Sequence, residues 1–295
     1  MVIEAADLQK RYEAMEALRG LSLQVPAGSI FGFLGRNGAG KTTTIKVLLG
    51  MVRPDRGTAR VFGLRTDSPE TGVDIRRRTG FVSEEKDLFD YMTVDEMIRF
   101  TSAFYPQWSR DLAGRYLRTF DLPVDRKVKA LSRGMRTKLA LLLALCRGAE
   151  LLILDEPTSG LDPAVTEEVL QALVTHVADR ATTVFFSSHQ LAEVDQIADR
   201  VAIVDRGRTV VAGALDDLKQ NFCRVQLVFD GDAPQPAFSA PGVVRTWRQG
   251  RVLTVLASQG FAPILEEARA IGAVSMDVFP VTLKEIFLET VAAED

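Results

Sequence analysis

The stretch Gly35-Arg36-Asn37-Gly38-Ala39-Gly40-Lys41-Thr42-Thr43 constrains this chain more than any other. It follows an apolar run, Ile30-Phe31-Gly32-Phe33-Leu34, and precedes Ile45-Lys46-Val47-Leu48-Leu49. Strand, glycine-rich turn and helix in that order make a phosphate-binding loop. Glycines let the backbone bend tightly, so consecutive N–H groups point into one concavity, and the positive end of the following helix adds to the attraction for phosphate. Lys41 then reaches the β- and γ-phosphates of a nucleotide as a point charge, and the hydroxyl of Thr42 is placed to bind Mg2+. The bland alternative is a glycine turn before an ordinary amphipathic helix. A chance match to G-x-x-x-x-G-K-[ST] in a chain of this length is on the order of one per cent, and the flanking strand and helix reduce it further.

Strand-like and helical patterns alternate along the chain. Two alternating runs fill residues 2–25, closed by a turn at Pro26-Ala27-Gly28, with Tyr12 between them. Tyr12 on its own reads equally as a loop aromatic or as a ring that stacks on a base. Gly80-Phe81-Val82-Ser83 ends a strand, and Glu84-Glu85-Lys86-Asp87 reads as the exposed loop after it. Thr93 and Glu96 have capping-box spacing, opening a helical region over 95–120 that Pro106 must interrupt. Its aromatics, Phe104, Tyr105 and Trp108, read as core more readily than as contact surface. Leu151-Leu152-Ile153-Leu154 and Val184-Phe185-Phe186 lack alternation, as strands buried on both faces do. The fold class is therefore α/β, a mostly parallel sheet with helices on both faces, whose ligands lie at the carboxyl ends of the strands. Beyond about residue 220 the pattern changes to a small α+β appendage over 221–295, with a Pro/Ala/Ser-rich loop at 233–241 and no chemical motif.

With 36 basic and 39 acidic residues the net charge is −3, which disfavours a dedicated nucleic-acid binder. No apolar run approaches the ~20 residues needed to span a bilayer. The first residues, Met1-Val2-Ile3-Glu4, lack a basic region and a hydrophobic signal core. A cytoplasmic protein, held at a membrane only through a partner, is expected. The two cysteines, Cys146 and Cys223, read as small core residues in a reducing compartment.

Two more strand ends carry chemistry. Asp155 follows the apolar run at 151–154, so its carboxylate stands at a strand rim, where it can ligate the Mg2+ that Thr42 meets. Glu156, one residue on, points elsewhere and is free to polarise an attacking water. A lone histidine is usually structural or superficial, and His176 is read so. For His189 both readings stand, since its strand delivers it to the phosphate edge, where Nε2 can reach the γ-phosphate or the water.

Taken together these motifs resemble the nucleotide-binding subunit of an ATP-binding cassette (ABC) transporter over residues 1–220, with a helical subdomain at about 85–150. The phosphate loop is Walker A, Leu151 to Glu156 is Walker B, Leu131-Ser132-Arg133-Gly134-Met135 stands in the place of the family signature, Ser159-Gly160-Leu161-Asp162 matches the D-loop and His189 the switch histidine. The resemblance implies ATP and Mg2+ as cofactors, Tyr12 as the adenine-stacking ring, and an ATP sandwich in which Ser132 and Gly134 of one copy complete the site of a second, homologous or paralogous, copy. It implies separate transmembrane permease subunits docking near residues 87–109. It looks most like bacterial exporter ATPases of the multidrug or antibiotic type. Arg133 stands where the family commonly has glycine and Met135 where it has glutamine. The Q-loop glutamine position falls on Glu84, a carboxylate that offers oxygen to Mg2+ but adds negative charge and donates no hydrogen bond. The alternative is a cassette ATPase acting on nucleic acid or ribosomes without a transport role. Such proteins usually carry two cassettes or inserted modules, and one cassette with no basic arm argues against it.

Overall fold

The computed structural model describes residues 1–234 and 238–292, so part of the loop read at 233–241 lies outside the described residues. The chain divides into two compact units, Met1–Ala212 and Gly213–Asp295. The break falls a few residues ahead of the boundary suggested by the pattern change near 220, because the short helix Leu215–Asn221 groups with the second unit.

In the first unit β1 (Ile3–Tyr12) and β2 (Met15–Val25) form a hairpin, and β3 (Ile30–Leu34) is buried at every position before feeding α1 (Lys41–Leu48). Strands β4 (Arg56–Val61) and β5 (Leu64–Arg65) join the hairpin in an antiparallel sheet of order β2-β1-β4-β5. Helix α2 (Pro69–Arg78) leads to β6 (Thr79–Val82). A helical segment follows: α3 (Val94–Ser102), α4 (Arg110–Thr119), a 3-10 turn at Val128–Ala130 and α5 (Arg133–Leu145). Then come β7 (Leu151–Leu154), α6 (Pro163–Arg180), β8 (Thr183–Ser188), α7 (Leu191–Ile197), β9 (Arg200–Asp205) and β10 (Arg208–Ala214).

The central sheet has order β10-β9-β3-β8-β7-β6, and every pairing from β9 to β6 is parallel. Non-consecutive neighbours place the ends of β3, β7 and β8 side by side, the crevice where ligands bind such sheets. Phe31 and Phe33 pack on Phe185 across the β3/β8 pair, with ring centroids 5.8 and 5.1 Å apart. The same core takes in Ile45, Val47 and Leu48, so α1 is fixed against the sheet by its apolar face.

The helical segment obeys its local signals. Thr93 Oγ1 accepts the Glu96 N–H at 3.1 Å and Glu96 Oε2 accepts the Thr93 N–H at 2.8 Å, the expected reciprocal cap. The aromatics depart from expectation. Phe104 is 64% exposed, and Tyr105 and Trp108 are only half-buried. Helix α3 turns Val94, Met97 and Ile98 inward, so the ring at 104 joins Phe100 on the outer face, centroids 5.1 Å apart.

His176 is buried against Tyr116, whose hydroxyl lies 3.3 Å from its Nδ1. Burial, then the nearby Arg180 and Arg115, push the imidazole down to about 4, against the pull of Asp179. The folded state therefore resists a proton that the unfolded chain accepts near pH 6.5. The stability associated with a neutral His176 is complete above that pH and lost as pH falls towards 4, by up to roughly 3 kcal/mol. A His176→Leu variant is expected to show a flatter melting temperature between pH 7 and 4.5 than the parent, and parallel curves would remove His176 from the acid response.

In the second unit α8 (Leu215–Asn221), β11 (Cys223–Val228), β12 (Val243–Gln249), β13 (Val252–Ala257), α9 (Ala262–Ala270), β14 (Ser275–Pro280) and α10 (Leu283–Ala292) form an α+β layer around an antiparallel sheet of order β12-β13-β11-β14. Val225, Leu227, Leu253 and Val255 bury one face with Ile264 and Ala268 of α9. Both cysteines are free and buried, and burial pushes the Cys146 thiol up to about 12.

Candidate functional site

The turn between β3 and α1 bends at Gly38 and Gly40, with φ of +83° and +103°. A Cβ at Gly40 would lie 2.6 Å from the Ala17 carbonyl oxygen, so glycine is required there for close approach as well as for backbone conformation. Helix α1 starts with no side-chain cap and no acidic residue in its first turn, leaving the positive end of its dipole uncompensated by the chain. This loop lines a cleft of about 300 Å³ together with Met15, Ala17, Glu84 and Glu156.

Lys41 is buried, and its ammonium donates to the Gly35 carbonyl at 2.8 Å and stands 3.0 Å from Glu156 Oε1. The second oxygen of Glu156 accepts from His189 Nδ1 at 2.8 Å. Three strand ends thus converge on one carboxylate. With Nδ1 donating, a neutral imidazole offers Nε2 as an acceptor, which suits water, whereas only an imidazolium donates from Nε2 to phosphate.

Ser187, which sequence reading passed over, braces the Asp155 carboxylate and the Glu156 backbone. Its hydroxyl donates to Asp155 Oδ1 at 2.6 Å and accepts the Glu156 N–H at 2.9 Å. Glu193 does the same for the flanking loops: its Oε2 accepts from Thr158 at 2.7 Å and from Ser188 at 2.9 Å, and burial pushes its carboxyl above the usual range. The only sequence signal for either was the paired serines just before His189. Glu156 sits at φ +47°, an uncommon backbone region for a residue with a side chain.

Lys86 corrects the reading of residues 84–87 as an exposed loop. It is buried, at 7% exposure, and its ammonium donates to the carbonyl oxygens of Glu84 at 3.0 Å and Glu156 at 3.2 Å. Burial pulls its pKa down to about 8, against the attraction of Glu84.

Among the described residues no three His, Cys, Asp or Glu side chains converge as a metal site. The oxygen donors available are the Thr42 hydroxyl and Glu84, which line the cleft, and Asp155, which is outside the lining but next to Glu156 and has one oxygen held by Ser187. A sparse, all-oxygen set suits Mg2+, which takes few protein ligands and completes its shell with phosphate and water.

Tyr12, Ser132 and Gly134 do not line this cleft. Tyr12 is exposed at the end of β1, with the Lys10 ammonium 5.6 Å from its ring centroid. Ser132 caps α5, accepting the Met135 N–H at 3.2 Å, and Gly134 packs against Val165 of α6. Arg133 lies over the D-loop: a Cβ at Gly160 would come within 2.4 Å of its guanidinium. A larger cleft of about 450 Å³ around Gln107, Glu150, His176 and Thr183 lies at the amino end of β8, away from the phosphate loop.

The sequence profile described as "ABC transporter" matches residues 18–159, and one described as "AAA domain, putative AbiEii toxin, Type IV TA system" matches 125–195. The chain is 39% identical over 231 residues to the daunorubicin/doxorubicin resistance ATP-binding protein DrrA of Streptomyces peucetius, covering 74% of this chain and 67% of that one. It is 35% identical over 221 residues to the bacitracin transport ATP-binding protein BcrA of Bacillus licheniformis, covering 74% and 72%. A solved ATP-binding subunit of an ABC transporter superposes with a TM-score of 0.66 at 31% identity, over 75% of this chain and 92% of that one. No helix among the described residues is long and apolar enough to cross a membrane. On its P-loop sheet, its motifs and these relatives, this chain belongs to the ABC transporter family as an ATP-binding subunit.

Proposed function

We propose that this chain binds and hydrolyses Mg-ATP to drive export of a drug-like compound through separate membrane subunits. The observation that carries the reading is the meeting of Lys41, Glu156 and His189 within 3.0 Å at the mouth of the phosphate loop. The N-terminus of α1 and Lys41 hold the β- and γ-phosphates, and Glu156 takes the proton of the attacking water. His189 orients the Glu156 carboxylate. Thr42 and Asp155, with Glu84 at the rim, would hold Mg2+, which when bound neutralises charge on the phosphate oxygens. Tyr12, exposed at the end of β1 and outside the cleft lining, is the ring that stacks on adenine in this reading.

Ser132 and Gly134 stand outside their own cleft, which supports a head-to-tail pair, of two copies or of a copy and a paralogue, in which α5 of each presents its N-terminus to the nucleotide on the other. Relatives named for daunorubicin resistance and bacitracin transport support a cargo of that type, and with it a position on the cytoplasmic face of a membrane, held there through a permease.

The permease side is supported by an aromatic ridge. Tyr91, Phe89, Phe100 and Phe104 touch in that order, with centroid distances of 5.8, 5.4 and 5.1 Å, yet Tyr91 is 67% and Phe104 64% exposed. An exposed cluster of this kind marks a contact surface. Phe89→Asp and Tyr91→Asp are expected to cut transport in vesicles containing the chain's membrane subunits by about tenfold or more, with ATP affinity of the purified chain within about twofold. Full transport by both variants would remove the ridge from docking, and a parent chain that releases no phosphate from Mg-ATP would remove the ATPase reading itself.

A further inference from the structure

The loop after β6 passes from the phosphate cleft at Glu84 to the aromatic ridge at Phe89, and Lys86 lies between them. A lysine in a surface loop ordinarily keeps its ammonium in water. This one is turned inward and spends two of its three donors on backbone carbonyls, those of Glu84 and Glu156, which belong to different strand ends. Both Lys86 and Glu156 hold positive φ, +53° and +47°. Side chains in that region persist only where the surroundings over-determine them, and such residues cluster at functional sites. The charges around Lys86 point the same way: Glu84, Asp155 and Glu156 attract it, and Arg133 opposes it.

We propose that Lys86 is a positioning residue for hydrolysis: it ties the Glu84 backbone to the Glu156 backbone, and its charge balances the carboxylate that Glu84 brings to the phosphate cleft. The proposal rests on the reading of that cleft as an ATP site. It assigns Glu84 and Lys86 a joint role, in which a neutral residue at 84 needs no cation at 86.

The test uses the full-length chain and four variants: Lys86→Met, Lys86→Arg, Glu84→Gln, and Glu84→Gln combined with Lys86→Met. Four quantities are read: kcat and KM for ATP hydrolysis, affinity for a fluorescent ATP analogue titrated in EDTA, and melting temperature. Lys86→Met is expected to lower kcat about tenfold or more, because the Glu84 and Glu156 carbonyls lose the ammonium that links them and Glu84 is left unbalanced, while KM and analogue affinity stay within about threefold. Lys86→Arg is expected to restore kcat to within about threefold of the parent, since it keeps the charge and the donors and a neighbouring cleft of about 180 Å³, lined by Lys86 itself, has room for the larger head. The double variant is expected to turn over faster than Lys86→Met alone, a coupling that a lysine merely filling space does not produce.

Parental kcat in Lys86→Met overturns the proposal. So does a Lys86→Arg variant as slow as Lys86→Met, or a double variant no faster than the single one. A common fall of kcat, affinity and melting temperature in both position-86 variants assigns Lys86 to packing and overturns it as well. If the parent fails to bind the analogue, the ATP-site reading falls first, and the two failures are told apart.

Discussion

Replacing Glu156 by glutamine is expected to lower ATP hydrolysis by about 10²- to 10⁴-fold, the range that a positioned general base supplies. The amide keeps the size of the side chain but cannot take a proton from water. It can still accept from His189 Nδ1, so the contact at 2.8 Å need not be lost. Its partner Lys41 is also retained, at 3.0 Å in the parent, and nucleotide binding should survive. With turnover blocked, Mg-ATP is expected to convert the purified variant into a dimer on size-exclusion chromatography, since in the proposed head-to-tail pair the bound triphosphate bridges two copies until it is cleaved. Equal turnover by variant and parent would take Glu156 out of the base role. A variant that stays monomeric in Mg-ATP would count against the head-to-tail pair.

Lys41→Ala strikes the other member of that contact and should have the larger effect on binding. The ammonium is buried between the Gly35 carbonyl and the Glu156 carboxylate, so its removal withdraws a charge-assisted donor from the phosphates and leaves a buried carboxylate without its cation. A loss of ATP affinity of about a hundredfold, close to 3 kcal/mol, is the expected result in a fluorescence titration. Lys41→Arg should not rescue it, because the planar guanidinium needs more room than a compact ammonium between a backbone carbonyl and a side chain. Affinity within about threefold of the parent in Lys41→Ala would mean that the cleft does not hold phosphate.

The parts of this site that sequence made legible are those specified locally. The phosphate loop announces itself because turn, strand and helix are contiguous, and Asp155-Glu156 because an unalternating apolar run ends on them. What stayed hidden depends on long-range pairing. Ser187 becomes a brace only because β7 and β8 are paired in a register that sets Leu154 opposite Phe186, which no local pattern dictates. Lys86 looked like surface because its neighbours Glu84, Glu85 and Asp87 are charged, and charge runs usually face water. Its inward turn follows from a carbonyl supplied seventy residues further along the chain. The aromatics at 100–108 erred in the opposite direction: large apolar rings suggest a core unless another molecule is available to cover them. The second unit was readable as α+β from its alternating strands, and nothing in it pointed to chemistry.

The left-handed backbone at Gly160, beneath Arg133, restricts how this protein can change over time. A β-carbon at 160 would intrude on the guanidinium at 2.4 to 2.8 Å, and the left-handed backbone there, φ +68°, already disfavours anything but glycine. Shortening residue 133 first removes the collision but not the backbone preference. The guanidinium is the far end of a flexible side chain and can swing aside, so it is the backbone that holds position 160 to glycine, and the D-loop glycine should persist whether or not a lineage keeps arginine at 133.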